Sequence, residues 1–230
     1  MTSIFFYIFY ICLALISTIL FTVVFALTYF FDSERKVLHS FSRVCSKIIY
    51  NINPWWRVSV EGKENLTKDK AYVVVTNHQS MFDIPIMYFV HLNFKWVSKK
   101  EVLKWPFFGW MLLLHGDILI KRGTRDSMKI LLSKGIKRLD RGTSVIIFPE
   151  GTRSRTGKVG NFKDGAFILA KESGRAILPC KIEGTRTMLK GWRLVMPHKF
   201  TITIMPEVSE SEVKQTEVKD LRNKVRELYN

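Results

Sequence analysis

Residues 1 to 31 contain no Asp, Glu, Lys, Arg or His. Ile4 through Phe31 therefore reads as one apolar helix, long enough at about 1.5 Å per residue to cross a bilayer. Met1-Thr2-Ser3 lacks the basic start of a cleaved secretion signal, and Ala26-Leu27-Thr28 lacks a small-x-small cleavage site. A retained membrane anchor is expected. Cysteine is scarce. Cys12, Cys45 and Cys180 are widely separated and none belongs to a C-x-x-C pair, which excludes a structural zinc site and a disulfide framework and predicts buried free thiols. Low-complexity linkers and internal repeats are missing. So is a Walker loop: five residues separate Gly151 from Gly157-Lys158, and Val159 stands where Ser or Thr is required, which excludes kinase or ATPase chemistry.

Acidic residues are in short supply. Against 36 Lys and Arg there are 20 Asp and Glu, a formal charge of +16. An excess of this size implies an anionic partner, nucleic acid or acidic membrane. The chain has no zinc finger, no RRM-like aromatic motif and no helix-turn-helix signal, and 47% hydrophobic content with 17 Phe and 6 Trp is too apolar for a disordered basic tail. A nucleic-acid partner is not expected, whereas an anionic membrane lipid is. Arg35, Lys36, Arg43 and Lys47 follow the apolar segment, so the remainder of the chain is placed on the cytoplasmic face. Over residues 35 to 50, Val37, Leu38, Phe41, Val44, Cys45 and Ile48 recur at helical spacing. This amphipathic helix fits an anionic surface, or equally the outside of a protein core. Asn53-Pro54 ends it, and Trp55-Trp56 suits headgroup depth.

Beyond residue 55, apolar runs alternate with helical patterns. Strands are predicted at 56–60, 72–76, 94–98, 117–121, 144–148, 176–182 and 200–205. Met128, Leu131, Leu132, Ile136 and Leu139 stripe one helix from Asp126 to Arg141, and a peripheral helix is expected over 211–229. The fold class is α/β: a mostly parallel sheet flanked by helices, with an N-terminal hydrophobic and amphipathic helical anchor. The expected division is 1–52 for the anchoring helices and 53–230 for the catalytic domain.

Ligands of such sheets bind beyond the carboxyl ends of the strands. Two motifs fall there. After Tyr72-Val73-Val74-Val75 comes Thr76-Asn77-His78-Gln79-Ser80-Met81-Phe82-Asp83. Histidine takes protons near neutral pH, and a carboxylate can fix its tautomer. Positions five apart lie about 140° apart on a helix. His78 and Asp83 therefore meet only if His78 sits in the turn and Asp83 in the first helical turn. Ser80 through Asp83 also matches a capping box, a sufficient reason for the acid by itself. The second motif is Phe148-Pro149-Glu150-Gly151-Thr152-Arg153-Ser154-Arg155. Gly151 permits a tight turn, Arg153 and Arg155 offer phosphate-gripping forks, and Glu150 can bond a substrate hydroxyl or brace an arginine. A solvated basic loop is the plainer alternative. His39, His91, His115 and His198 have no metal-ligand spacing and are expected to be structural or surface residues. The run from Trp105 to Leu114 is expected to line an acyl channel, to dip into the membrane, or to form a core helix.

In this order the motifs resemble the glycerolipid acyltransferase family. Its Asn-His-x-x-x-x-Asp hallmark is matched by Asn77, His78 and Asp83, and its Phe-Pro-Glu-Gly-Thr-Arg-Ser by Phe148 through Ser154. Further matching blocks are Lys99-Lys100-Glu101, Pro106 through Trp110, Gly116 through Arg122, Phe162 through Ala166 and Ile177 through Cys180. Lys121 departs from the pattern, since many members carry an acid before the Arg. The resemblance covers about residues 57 to 206. It implies an acyltransferase acting on lysophosphatidate, with acyl-CoA or acyl carrier protein as donor substrate and neither cofactor nor metal. It implies His78 as general base, Asp83 as its orienting partner, and Arg122, Glu150, Gly151, Thr152 and Arg153 around the glycerol phosphate. Lys121 and Arg155 add positive field. An acyltransferase for another lysophospholipid or for glycerol phosphate carries the same motifs. A noncatalytic membrane-bound binder of anionic lipid keeps the fold without the chemistry.

Overall fold

The computed structural model describes residues 2–105, 108–121, 123–154, 156–191 and 193–230. The chain runs α1 (Thr2–Thr28), α2 (Lys36–Asn51), β1 (Trp56–Glu61), β2 (Val73–Thr76), α3 (Asp83–Ile86), β3 (Phe94–Lys99), α4 (Phe108–His115), β4 (Ile118–Ile120) and α5 (Arg125–Asp140). It continues through β5 (Ser144–Ile147), α6 (Gly165–Ser173), β6 (Ile177–Glu183), β7 (Leu189–Lys190), β8 (Arg193–Leu194), β9 (His198–Ile204), α7 (Glu210–Gln215) and α8 (Val218–Glu227). All seven strands expected from the apolar runs lie in one sheet of order β1-β9-β6-β2-β5-β3-β4. Neighbours are parallel except β6 and β9. The hairpin of β7 and β8 was not expected; two residues per strand are too few to leave a period-2 signature.

β2 and β5 sit in the middle, which explains their unbroken Val and Ile. Strands covered on both faces need apolar side chains at every position. Tyr72, Val74, Ile146 and Phe148 enter one core with Tyr50, Trp56, Trp96, Leu178 and Phe200. Val73, Val75, Val145 and Ile147 enter the other, under Leu131 and Leu139 of α5 and Phe167 and Leu169 of α6. Gly135 lets α5 approach α6: a Cβ there would lie 2.8 Å from Leu169 Cδ1.

Three expectations are revised. The helix expected over 211–229 is two helices, α7 and α8, broken at Thr216, whose carbonyl accepts the Lys171 ammonium at 2.7 Å. Leu221, Val225 and Tyr229 of this charged segment are buried, and the Tyr229 hydroxyl donates to Val75 O at 2.7 Å. Trp56 does not reach a headgroup layer; it is buried and donates to Val195 O, while Trp55 is half exposed. Of the cysteines, Cys180 is buried, Cys45 intermediate and Cys12 exposed on α1.

α1 lies antiparallel along α2. Tyr10 bonds Ile49 O, Cys45 faces Ser17 and the Phe21 and Phe41 rings meet at 6.0 Å. Asp32 caps the start of α2 by accepting the N–H groups of Lys36 and Val37, both at 2.8 Å. Leu38, His39 and Tyr50 of α2 are buried, His39 against Phe94 of β3 and Tyr50 against Trp56 of β1 and Phe200 of β9, whereas Val37, Val44 and Ile48 face outward. Glu34 ties this pair of helices to α5 through Arg138 at 2.8 Å and Arg141 at 2.7 Å. Residues 7–28 of α1 form a helix long and apolar enough to cross a membrane.

Candidate active site

β2 ends at Thr76, and the next residue closes the strand end onto its neighbour. Asn77 Nδ2 donates to Ile182 O at 2.9 Å and Asn77 Oδ1 accepts Ile182 N–H at 2.7 Å. This side-chain amide extends the β2–β6 ladder by one pair and fixes where the turn begins. His78 follows in the turn, and Asp83 opens α3.

The condition for an i, i+5 pair is met. His78 Nδ1 lies 2.7 Å from Asp83 Oδ2. The same oxygen accepts Gln79 N–H at 2.6 Å and Ser80 N–H at 2.8 Å. The capping box forms in one direction, the acid reaching back to the Ser80 amide. Ser80 Oγ accepts from Phe82 N rather than from Asp83 N. One carboxylate thus holds both the turn and the imidazole. Asp83 is fully buried and the His78 side chain is 17% exposed. With a proton on Nδ1 directed at the carboxylate, the neutral imidazole carries its lone pair on Nε2.

The turn after β5 clasps the turn after β2. Glu150 is buried and accepts two backbone N–H groups, His78 N–H on Oε1 and Gly160 N–H on Oε2, each at 2.8 Å. Ser154 N–H donates to His78 O at 2.8 Å. His78 is therefore held by both of its backbone polar groups. Gly151 has φ +74°, a left-handed conformation that favours glycine, and it turns the chain between Glu150 and Arg153. The Phe148 ring lies on the imidazole at 3.9 Å and 16°, and Trp96 backs Phe148 at 5.2 Å and 18°.

His78, Phe148, Gly151, Thr152 and Arg153 line a cleft of ≈ 230 Å³ together with Lys99 and Trp105. Arg153 is exposed and forms no ion pair among the described residues, so its charge is available to an anion. Of the expected site residues, the structure thus brings together His78, Asp83, Glu150, Gly151, Thr152 and Arg153. Arg122 and Arg155 lie outside the described residues, and Lys121 is exposed at the end of β4. Both Glu150 oxygens accept backbone N–H groups, which makes it a brace of the two turns. Trp105 of the cleft lining is exposed, as are Trp110 and Leu113 of α4, while Leu112 is buried.

The other histidines belong to the scaffold or its surface. His39 Nε2 donates to Leu92 O at 2.8 Å, and burial, with the charges of His115, Lys95 and Arg43 adding, pushes its pKa down to about 2. His115 donates through Nδ1 to Asp117 Oδ1 at 2.9 Å, and burial lowers its pKa as well. The buried Lys95 ammonium reaches His115 O at 2.7 Å, its pKa lowered by burial to about 8. His198 donates through Nε2 to Gly184 O at 2.7 Å.

One residue at the site was not singled out from the sequence. Thr185 Oγ1 donates to Asp83 Oδ1 at 2.5 Å across 102 positions. The Glu-Gly-Thr-Arg of residues 150–153 recurs at Glu183-Gly184-Thr185-Arg186, which could have drawn notice to the residue but not to its partner.

A family model described as acyltransferase matches residues 57–183. The chloroplastic 1-acyl-sn-glycerol-3-phosphate acyltransferase of Arabidopsis thaliana is 37% identical over 157 residues, 67% of this chain and 44% of that protein. The chloroplastic enzyme of the same description from Brassica napus is 31% identical over 203 residues, 87% of this chain and 58% of its own length. This chain thus spans about half the length of the curated relatives it matches. The crystal structure of the 1-acyl-sn-glycerophosphate acyltransferase from Thermotoga maritima superposes with a TM-score of 0.77 at 27% identity, covering 99% of this chain and 91% of that one. The matched span takes in more than half of the sequence and both motif turns, and on that ground the chain belongs to the acyltransferase family.

Proposed function

We propose that this chain transfers a fatty acyl group from an acyl thioester to the sn-2 hydroxyl of lysophosphatidate, forming phosphatidate. The observation that carries this proposal is the His78–Asp83 pair at 2.7 Å, facing a cleft that also presents Arg153. The acceptor named for the relatives from Arabidopsis thaliana and Brassica napus, 1-acyl-sn-glycerol-3-phosphate, supports this choice. His78 Nε2 takes the proton of the lipid hydroxyl as its oxygen attacks the thioester carbonyl. Asp83 holds the ring and stabilises the imidazolium that forms. Collapse of the tetrahedral intermediate breaks the C–S bond, and the proton on His78 passes to the departing thiolate. The lipid oxygen is itself the nucleophile, so no acyl-enzyme is needed. Acyl-CoA and acyl carrier protein both supply the required thioester, and no cofactor or metal enters. Arg153, with Arg122, Gly151 and Thr152, surrounds the glycerol phosphate, and Glu150 acts by holding His78.

Substrate and product both reside in a bilayer. We assign residues 1–52 to membrane attachment through the apolar face of α1 and the basic flank of α2, and 53–230 to catalysis on the cytoplasmic face. Purified, detergent-solubilised protein is tested for thiol release from acyl-CoA, and separately from acyl carrier protein, with and without lysophosphatidate, beside His78→Ala. Release that requires lysophosphatidate and His78, with phosphatidate as product, supports the proposal. Release with another lysophospholipid or with glycerol phosphate alone moves the acceptor within the family. Silence with every pair identifies a noncatalytic lipid binder.

A further inference from the structure

We infer that Thr185 is a positioning residue for the His78–Asp83 pair, a role that rests on the acyl-transfer function proposed above. A carboxylate is planar, and fixing both of its oxygens fixes rotation about its Cβ–Cγ bond. At Asp83 the three N–H donors all converge on Oδ2: the imidazole and the amides of Gln79 and Ser80. Oδ1 takes the Thr185 hydroxyl at 2.5 Å. Asp83 is completely buried, so water does not substitute for that hydroxyl. Without it, Oδ1 has no donor among the described residues, and the carboxylate plane is free to turn a second oxygen toward the Nδ1 proton. The imidazole then loses its single orientation, and Nε2 loses its aim at the acceptor hydroxyl.

Thr185 is well placed to impose that constraint because its own turn is fixed from three sides. Asn77 clasps Ile182 through both amide atoms just before the turn. His198 donates to Gly184 O at 2.7 Å, and Thr187 N–H donates to the same carbonyl at 3.2 Å. Gly184 adopts φ +92°, and a Cβ there would lie 2.3 Å from Lys199 O, so the backbone is pressed against β9. Thr185 itself is buried. It does not line the cleft and so acts through Asp83 rather than on substrate.

The test compares Thr185→Val, which keeps shape and removes the hydroxyl, with Thr185→Ser, which keeps the hydroxyl, in full-length detergent-solubilised protein. Steady-state assays with lysophosphatidate and acyl-CoA or acyl carrier protein separate kcat from KM. Proton NMR of the His78 Nδ1–H, assigned by its loss in His78→Ala, reports the pair without turnover. Thr185→Val is expected to lower kcat by roughly 10- to 100-fold, the scale of one hydrogen bond to a charged group, with KM unchanged for both substrates. Its Nδ1–H resonance moves upfield or broadens. Thr185→Ser restores both. Where the valine variant does not fold, Thr185→Ala against Thr185→Ser carries the same comparison. Wild-type kcat and an unmoved resonance in a folded hydroxyl-less variant would overturn the inference, as would Thr185→Ser failing alongside it. A wild-type protein inactive on every donor and acceptor would instead refute the proposed reaction, and the resonance comparison would still decide the role of Thr185.

Discussion

Glu150 separates two accounts of the second motif, and Glu150→Gln is the decisive perturbation. In the structure its two oxygens accept the amides of His78 and Gly160, each at 2.8 Å. Glutamine retains one acceptor oxygen and turns an NH₂ toward the other amide, so one charge-assisted bond is lost and two donors face each other. A hydrogen bond to a charged group is worth about 1.5–3 kcal/mol. At about 1.36 kcal/mol per decade, losing it on the His78 side lowers the population of correctly placed imidazole by roughly 10- to 150-fold. The expected signature is a fall in kcat of that order, an unchanged KM for lysophosphatidate, and a lower urea midpoint. Gly160→Ala is a milder version, because its Cβ would lie 3.2 Å from Glu150 Oε2 and would press on the same carboxylate. Thiol release at saturating donor, with lysophosphatidate titrated, reads the split. A raised KM at wild-type kcat would refute the brace and place the carboxylate on the substrate.

Three further outcomes are expected. Asp83→Asn can turn its oxygen to the three N–H donors and its NH₂ to Thr185, so the melting temperature holds while kcat falls roughly 10²- to 10⁴-fold; a fall in stability matching the fall in rate would show a cap and nothing more. Arg153→Ala should raise the lysophosphatidate KM roughly 10- to 100-fold and leave kcat nearly unchanged; equal KM in steady-state assays would remove it from the head-group site. His39 has a folded pKa of about 2 against 6.5 for a free imidazole, so between those values the unfolded chain binds the extra proton. Its contribution is fully present above pH 6.5 and is lost at about 1.4 kcal/mol per pH unit as pH falls toward the folded value. Glutamine keeps a donor for Leu92 O, so urea unfolding of His39→Gln between pH 7 and about 4.5 should show a shallower acid slope; an identical slope would show that His39 is not a source of it.

Much of the fold was legible in the sequence because strands and helices are local periodicities. The Val run of β2 and the Val-Ile run of β5 marked strands without knowledge of their neighbours, and the sheet order places both at its centre. The stripe from Met128 to Leu139 marked α5 to within a residue at each end. The same logic failed where local pattern is thin. β7 and β8 are too short to show a period, and α7 and α8 are separated by only two extended residues, Thr216 and Glu217, too short an interruption to disturb the pattern of the segment. Trp55-Trp56 was ambiguous as a pair, since only packing on Phe200 and Tyr50 distinguishes the buried ring from the exposed one.

The candidate site divides along the same line. By itself the sequence determined the chemical groups and their order: a His and an acid five apart after a buried strand, and a Glu-Gly-Thr-Arg turn after another. Whether His78 and Asp83 face each other was undecided, because positions five apart diverge on a helix and converge only across a turn. Tertiary structure decided that, along with the two contacts that no local pattern encodes. Glu150 reaches the His78 amide over 72 positions, and Thr185 reaches Asp83 over 102. Such pairings depend on β5 and β6 lying on either side of β2, and sheet order is fixed by how the two cores pack over the whole chain.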